Sequence, residues 1–124
     1  MTKRSPWEAA ADVHSRAFCP RFHHAVELIG RRWTGAIVRV LLQGPRRFSE
    51  LAVSVPGLSE RLLAQRLREL EAEGLVVRRV LPGPPVRVEY ELTRAGHELE
   101  AVVTALADWA HHWGPSGEGG RGAC

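Results

Sequence analysis

No run of apolar residues in the chain approaches the roughly 20 that a bilayer crossing requires, and the N-terminus has no hydrophobic signal core. The expectations that follow are a cytoplasmic location and no membrane partner. Cysteine is scarce: Cys19 and Cys124 are the two in the chain. Cys124 sits in a glycine-rich tail, where a disulfide would be an accident of reach. Cys-x-x-Cys and His-Glu-x-x-His spacings are absent, which removes the common metal sites. Two of the histidine groupings are adjacent pairs, His23-His24 and His111-His112, and neighbours on a helix point about 100° apart, too far to chelate one ion together. A composite site of Cys19, His23 and one further ligand is the remaining metal reading. Solvated or interface histidines fit better, so no metal or other cofactor is expected. The chain also lacks a phosphate-binding glycine loop, a nucleophile elbow and a carboxylate pair framed by apolar strands, so it is not expected to be an enzyme.

What is present suits one domain, because 124 residues allow a single hydrophobic core. The formal charge of +3 is modest but unevenly spread. After Ala95 the acidic Glu98, Glu100, Asp108 and Glu118 face only Arg121, so the positive excess lies in the N-terminal and central parts. One basic side is what a phosphate-facing protein needs.

The stretch from Arg46 to Val77 carries the strongest pattern. Ser59 is a natural N-cap, a helix over Glu60–Glu73 follows, and Gly74 stands where a left-handed C-terminal residue is needed. On that helix Leu62, Leu63, Leu67 and Leu70 fall on one side, and Arg61, Gln65 and Arg68 on the other with Ala64 beside them. Arg66 lies toward the edge. Arginine and glutamine are the side chains that pair bidentately with guanine and adenine edges in the major groove. First-turn residues usually make base contacts, which favours Ser59, Arg61 and Gln65, leaving Arg66 and Arg68 for phosphate. A solvated surface helix would show a similar charge mixture; Glu60, Glu69, Glu71 and Glu73 are also on it. The preceding segment weighs against that alternative. Phe48, Leu51 and Val55 mark a short amphipathic helix, broken at Pro56-Gly57, with Leu58 available to fill the space between the helices. Two helices around a short glycine turn form the helix-turn-helix pattern, which non-DNA-binding hairpins also share.

After Gly74 the period changes. Residues 76–81 are β-branched and arginine-rich, Pro82-Gly83-Pro84-Pro85 is a rigid turn, and Val86, Val88, Tyr90 and Leu92 alternate onto one face. A hairpin directly after a helix-turn-helix makes a winged helix. Arg87, beside the tip, could reach phosphate or the minor groove, and Arg78 and Arg79 the backbone. Solvent-facing positions on an edge hairpin are the alternative. Arg46 and Arg47 precede the first of the two helices, where a short third strand could pair with the wing, and with Arg66, Arg68 and Arg87 they are expected to hold phosphate or the minor groove.

The remaining helices flank this unit. Trp7 to Ala17 reads as an amphipathic helix, Pro20 starts another with Phe22, Val26 and Ile29 as its apolar positions and Gly30 as its end, and residues 36–42 form a core helix. Thr93 caps a last helix whose stripe of Leu99, Val102, Val103, Leu106, Trp109 and Ala110 is wide for a small domain and suggests burial against a second subunit. The expected organisation is disorder over residues 1–5, one folded unit over 6–113 and a disordered tail over 114–124. The fold class expected is α+β, mostly helical: a winged helix-turn-helix with additional N- and C-terminal dimerisation helices.

The chain resembles the HxlR-type regulators, within the wider MarR-like winged-helix class. The likeness rests on Cys19-Pro20, on Glu27-Leu28-Ile29-Gly30 followed by Trp33-Thr34, and on residues 42–51, LQGPRRFSEL. It continues through residues 59–70, SERLLAQRLREL, then Gly74-Leu75-Val76, residues 84–93, PPVRVEYELT, and Gly96. The chain departs from the usual pattern at Arg31-Arg32, where a Gly-Lys pair is more familiar. The resemblance implies a homodimeric transcription factor, a repressor being favoured, joined through its terminal helices and reading an inverted-repeat operator of double-stranded DNA.

In some members of that family a cysteine at the position of Cys19 senses oxidants or electrophiles. A helix N-terminus with Arg16 and Arg21 nearby in sequence favours a reactive thiolate. A buried, inert cysteine beside a subunit interface is the alternative. A small-molecule signal is a further reading, through an aromatic pocket at the dimer interface drawn from Trp7, Phe18, Phe22, Trp33, Trp109 and Trp113, although core and interface packing is the simpler account of such residues. Winged helices also serve as protein-interaction modules without DNA binding, and salt dependence separates the two.

Overall fold

The computed structural model describes residues 18–115. The expected helix over Trp7–Ala17, the expected disorder of residues 1–5, and the tail beyond Pro115 lie outside the described residues. The chain divides into two compact units, one ending at Gly35 and the other beginning at Ala36.

In the first unit, α1 spans Pro20–Gly30, with Cys19 as its N-cap and the proline at its first position, where the missing N–H would have no partner in any case. Leu28 is its buried residue. The expected apolar positions behave differently: Phe22 is 70% and Val26 50% exposed, and Ile29 is half-buried. An apolar stripe was legible, but within this chain the side chain that is covered comes from the neighbouring position. Trp33 has φ 77°, a left-handed conformation rare for a bulky residue, at a cost of about 1–3 kcal/mol. The Arg32 guanidinium stands 5.0 Å from its ring centroid. Helix α2 (Thr34–Leu41) then crosses the junction between the units.

The second unit continues with β1 (Arg46–Arg47), α3 (Phe48–Ser54), α4 (Glu60–Ala72), β2 (Val76–Leu81), β3 (Arg87–Leu92), α5 (Arg94–His97) and α6 (Glu100–Trp113). The three strands form one antiparallel sheet in the order β1-β3-β2. Val76 pairs with Leu92 at the base of the hairpin and Leu81 with Arg87 near its tip, while β1 sets Arg46 against Tyr90 and Arg47 against Glu89. Buried side chains come from α2 (Ile37, Val38, Leu41), α3 (Leu51) and α4 (Leu63, Leu67, Leu70), with Val55 and Leu58 from the turn and Leu75, Val76 and Leu92 from the hairpin base. Burying each such side chain contributes about 1.5–3 kcal/mol.

Two sequence expectations need correction. Val86 is not part of the alternating strand; it is 63% exposed in the turn, and Val80, paired with Val88, is 55% exposed. The fully buried hairpin residues, Val76 and Leu92, lie at its base, and the rest of the hairpin is half-buried or exposed. The helix capped by Thr93 is also not continuous. Thr93 Oγ1 accepts from Gly96 N and starts a four-residue helix, and the chain turns at Glu98-Leu99 before α6 begins. Leu99 N donates to Gly96 O, three residues back, so the four-residue ladder is interrupted there.

Candidate nucleic-acid interface

Helix α4 is fixed at both ends by its own sequence. Ser59 Oγ accepts from Leu62 N at 3.1 Å, and Glu60 places a negative charge in the first turn, where the helix dipole favours it. At the other end Leu75 N donates to Leu70 O at 2.9 Å and Gly74 N to Glu71 O at 3.0 Å. These are the paired bonds of a Schellman ending, and Gly74 takes the left-handed φ of 77° that the ending requires. Between these stops Leu63, Leu67 and Leu70 are buried, and Arg61, Gln65 and Arg68 are exposed on the opposite side. Leu62, expected with the buried leucines, is half-buried.

The turn before α4 is closed by Leu58 N donating to Val55 O at 3.3 Å, with Pro56 and Gly57 between. Leu51, Val55 and Leu58 are buried and Phe48 is half-buried, so the short α3 lies on the leucine side of α4. At the start of α3 Glu50 Oε1 accepts from Arg47 N at 2.8 Å. That backbone hydrogen bond, reinforced by the positive charges of Arg47 and Arg46, holds the Glu50 carboxyl below the usual glutamate value.

The arginines named from the sequence fall into two groups. Arg46, Arg47 and Arg66 are engaged within the chain. Arg46 Nη1 donates to Pro45 O at 2.9 Å and its Nη2 to Gln43 Oε1 at 3.3 Å, and Arg47 Nε stands 3.7 Å from Glu50 Oε1. Arg66, the edge residue of α4, is largely covered and directs Nη1 to both Glu69 oxygens at 3.1 and 3.2 Å. Gln65 Nε2 also reaches Glu69 at 3.5 Å. Arg61, Arg68 and Arg87, by contrast, are exposed and form no ion pair among the described residues. Ser59 is exposed too, with its oxygen serving the cap and its O–H still able to donate. On the wing Arg78 is exposed, and Arg79 Nε donates to Glu91 Oε2 at 2.8 Å across the hairpin.

This last pair was not read from the sequence. Once the register puts Arg79 opposite Glu89 and Val77 opposite Glu91, Arg79 and Glu91 become diagonal neighbours on one face. The Arg66–Glu69 pair follows from helical spacing alone. No spacing rule would have found the contact between Thr93 and Gly74 described below.

A helix-turn-helix with an exposed Arg-Gln-Arg face and a hairpin after it is a winged helix, and comparison with known proteins gives its kind. The HxlR-like helix-turn-helix family model matches residues 28–118. The chain belongs to that family. Its relatives include the HTH-type regulator YvaP of Bacillus subtilis, 47% identical over 101 residues that cover 82% of this chain and 94% of that protein. YodB of the same organism, an HTH-type transcriptional regulator, is 43% identical over 100 residues, covering 81% of this chain and 89% of YodB. The reduced form of YodB superposes with a TM-score of 0.73 at 44% identity, covering 77% of this chain and 94% of that one. YodB has also been solved diamide-treated and quinone-bound. The redox regulator HypR in its oxidised form gives a TM-score of 0.70 at 36% identity, covering 77% of this chain and 97% of HypR. The family and these relatives are transcriptional regulators, not enzymes, and the winged helix-turn-helix architecture is theirs as well.

In this HxlR-like chain Cys19 is exposed as a free thiol at the N-cap of α1. Phe18 is 52% exposed, its ring 5.2 Å from that of His23, which stands 3.1 Å from Glu27. Trp33 is half-buried. In the second unit α6 buries Val103 and exposes Val102, Leu106, Trp109 and Trp113, spaced to fall on one face. Trp7 lies outside the described residues. No cluster of three His, Cys, Asp or Glu among the described residues could hold a metal ion. No described helix is long and apolar enough to cross a membrane.

Proposed function

We propose that this regulator binds double-stranded DNA sequence-specifically, as a homodimer on an inverted repeat, most simply as a repressor. The observation that carries the reading is α4: three buried leucines on one side and exposed Arg61, Gln65 and Arg68 on the other. Arg61 and Gln65 are assigned to base edges with Ser59 at the helix start, and Arg68 and Arg87 to phosphate or minor groove. Arg46, Arg47 and Arg66 are assigned to phosphate as well, from guanidinium groups already oriented by their intramolecular partners. The exposed stripe of Val102, Leu106, Trp109 and Trp113 supports a second copy as the partner, since a symmetric dimer would take such a face out of water.

The test is selection of bound duplexes from a randomised library by the full chain. The parent should enrich one inverted repeat. Gln65→Ala should flatten the preference at one position of each half-site, a loss of about 1–3 kcal/mol of discrimination there. Equal weakening on the enriched and a scrambled duplex would remove Gln65 from its base-reading role.

A second reading concerns the signal. Cys19 is exposed, and its relative YodB exists in reduced, diamide-treated and quinone-bound structures. We assign Cys19 as the site where oxidants or quinone-like electrophiles act on this chain, the exposed aromatics being the candidate contacts for the latter. Diamide should weaken binding to the enriched duplex at least about tenfold in the parent, equivalent to about 1.4 kcal/mol, and leave Cys19→Ser unaffected. Unchanged affinity with the thiol shown to be modified by mass spectrometry would end this assignment.

A further inference from the structure

After the Schellman ending of α4 the carbonyls of Gly74 and Leu75 both accept from one residue, Thr93, just past the returning strand. Thr93 Oγ1 donates to Gly74 O at 2.7 Å, and Thr93 N donates to Leu75 O at 3.0 Å. The same hydroxyl accepts from Gly96 N at 3.2 Å. A hydroxyl has one donor and can accept as well, and here both functions are in use. Thr93 thus ties together three things: the end of the reading helix, the end of wing strand β3, and the start of α5.

Position gives this contact its meaning. Val76, immediately after Leu75, pairs with Leu92, immediately before Thr93, at the root of the hairpin. The wing therefore joins the end of α4 through this corner, β1 pairing with β3 only farther along at Tyr90 and Glu89, and its outer part is more exposed, with Val80 55% exposed. The β1 pairing does not reach the end of α4, where a single backbone bond would leave the angle between helix and hairpin free to change. The hydroxyl adds a second attachment one residue away and removes that freedom.

We propose that Thr93 is a positioning residue for DNA recognition: by clasping Gly74 and Leu75 it holds helix α4 and the wing as one rigid reading head, so that helix and wing contacts are energetically coupled. The proposal rests on the DNA-reading assignment above and adds a residue to it that need not touch DNA.

Capping and clasping can be separated chemically. Aspartate is at least as good an N-cap as threonine, because its carboxylate accepts from the Gly96 N–H. Ionised, it has no proton to donate and would set its oxygens against the Gly74 carbonyl. Thr93→Asp therefore keeps the cap and breaks the clasp, Thr93→Val breaks both without adding charge, and Thr93→Ser keeps both. The affinity of the full chain for a duplex enriched by the parent is measured with and without Arg87→Ala in each background. Arg87→Ala should weaken binding about tenfold in the parent and in Thr93→Ser, but only about twofold in Thr93→Asp and Thr93→Val, where the wing is no longer held. The same fold-loss in every background, with the variants folded by circular dichroism, would overturn the proposal. So would normal coupling in Thr93→Asp with loss confined to Thr93→Val, which would make Thr93 a cap and nothing more. Should Thr93→Val not fold, the Asp and Ser arms still decide. An Arg87→Ala change without effect in the parent would instead remove the wing's DNA role, the premise on which the clasp depends.

Discussion

Gly96→Ala is expected to lower the melting temperature by more than about 10 °C. A Cβ at this buried position would collide with the Leu75 carbonyl oxygen and lie 2.8 Å from Leu92 Cδ2 and 3.1 Å from Leu92 Cβ. Only Leu92 Cδ2 ends a side chain, and that side chain is packed in the core. Leu75 O is backbone and already accepts from Thr93 N, and Leu92 is 3% exposed and paired with Val76. To admit one methyl group, α5 must move off the corner or the bond between Thr93 and Leu75 must open. Overpacking costs about 1–3 kcal/mol, and an unmade buried hydrogen bond adds about 1–3 kcal/mol. Against a total stability of about 5–15 kcal/mol this is a large fraction. For a domain of this size each kcal/mol corresponds to about 4–8 °C. Gly30→Ala is the control, because a Cβ there meets nothing within 4 Å. It should leave the melting temperature unchanged or raise it slightly. A Gly96→Ala variant melting within about 3 °C of the parent would show that the corner can relax and that the close approach is not a constraint.

Binding of the parent to its enriched duplex is expected to weaken about a thousandfold between 50 and 200 mM salt. A dimer assigns ten arginines to phosphate or the minor groove; with the internally engaged ones contributing only part of their charge, about six counterions are released, and the affinity then falls with a logarithmic slope near −5. Arg68 and Arg87 are exposed and form no ion pair among the described residues, so their charge is available to phosphate without breaking an internal contact. Arg66 must share its charge with Glu69, and Arg47 with Glu50. The double substitution Arg68→Ala with Arg87→Ala removes two guanidinium groups from each protomer, and should therefore flatten the slope of the dimer markedly, by about 3 to 4. Arg66→Ala should change it less. Fluorescence anisotropy across a salt series measures both. A shallow slope in the parent, or no binding to any duplex at low salt, would favour the protein-interaction reading of the winged helix over the DNA-binding one.

Much of the winged helix-turn-helix was legible in the sequence. Ser59, the Leu63–Leu67–Leu70 spacing and Gly74 define α4 through capping, periodicity and a left-handed stop, which are all local. The opposite placement of Arg61, Gln65 and Arg68 follows from the same periodicity. The hairpin was legible from the turn at residues 82–85 and the change of period after Gly74. What these signals could not supply was what lies beneath each side chain. Val86 alternates correctly in sequence yet stands over solvent, and Phe22 and Val26 form an apolar stripe that is exposed within this chain while Leu28 is covered. The break at Glu98-Leu99 was likewise hidden, because an apolar stripe running from Leu99 to Ala110 reads as one helix with whatever precedes it.

The sequence by itself determined helix α4, its caps, the turn before it, the wing after it and the family to which all of these belong. Each depends on residues within a few positions of one another, where backbone preference and helical or strand period act directly. Only the tertiary structure decided that Arg79 meets Glu91, and that Thr93 closes on Gly74 while Gly96 leaves no room against Leu75. Those contacts join residues 12 to 21 positions apart. Their geometry is set by strand register and by the angle at which the wing returns to the end of α4, which no local preference encodes.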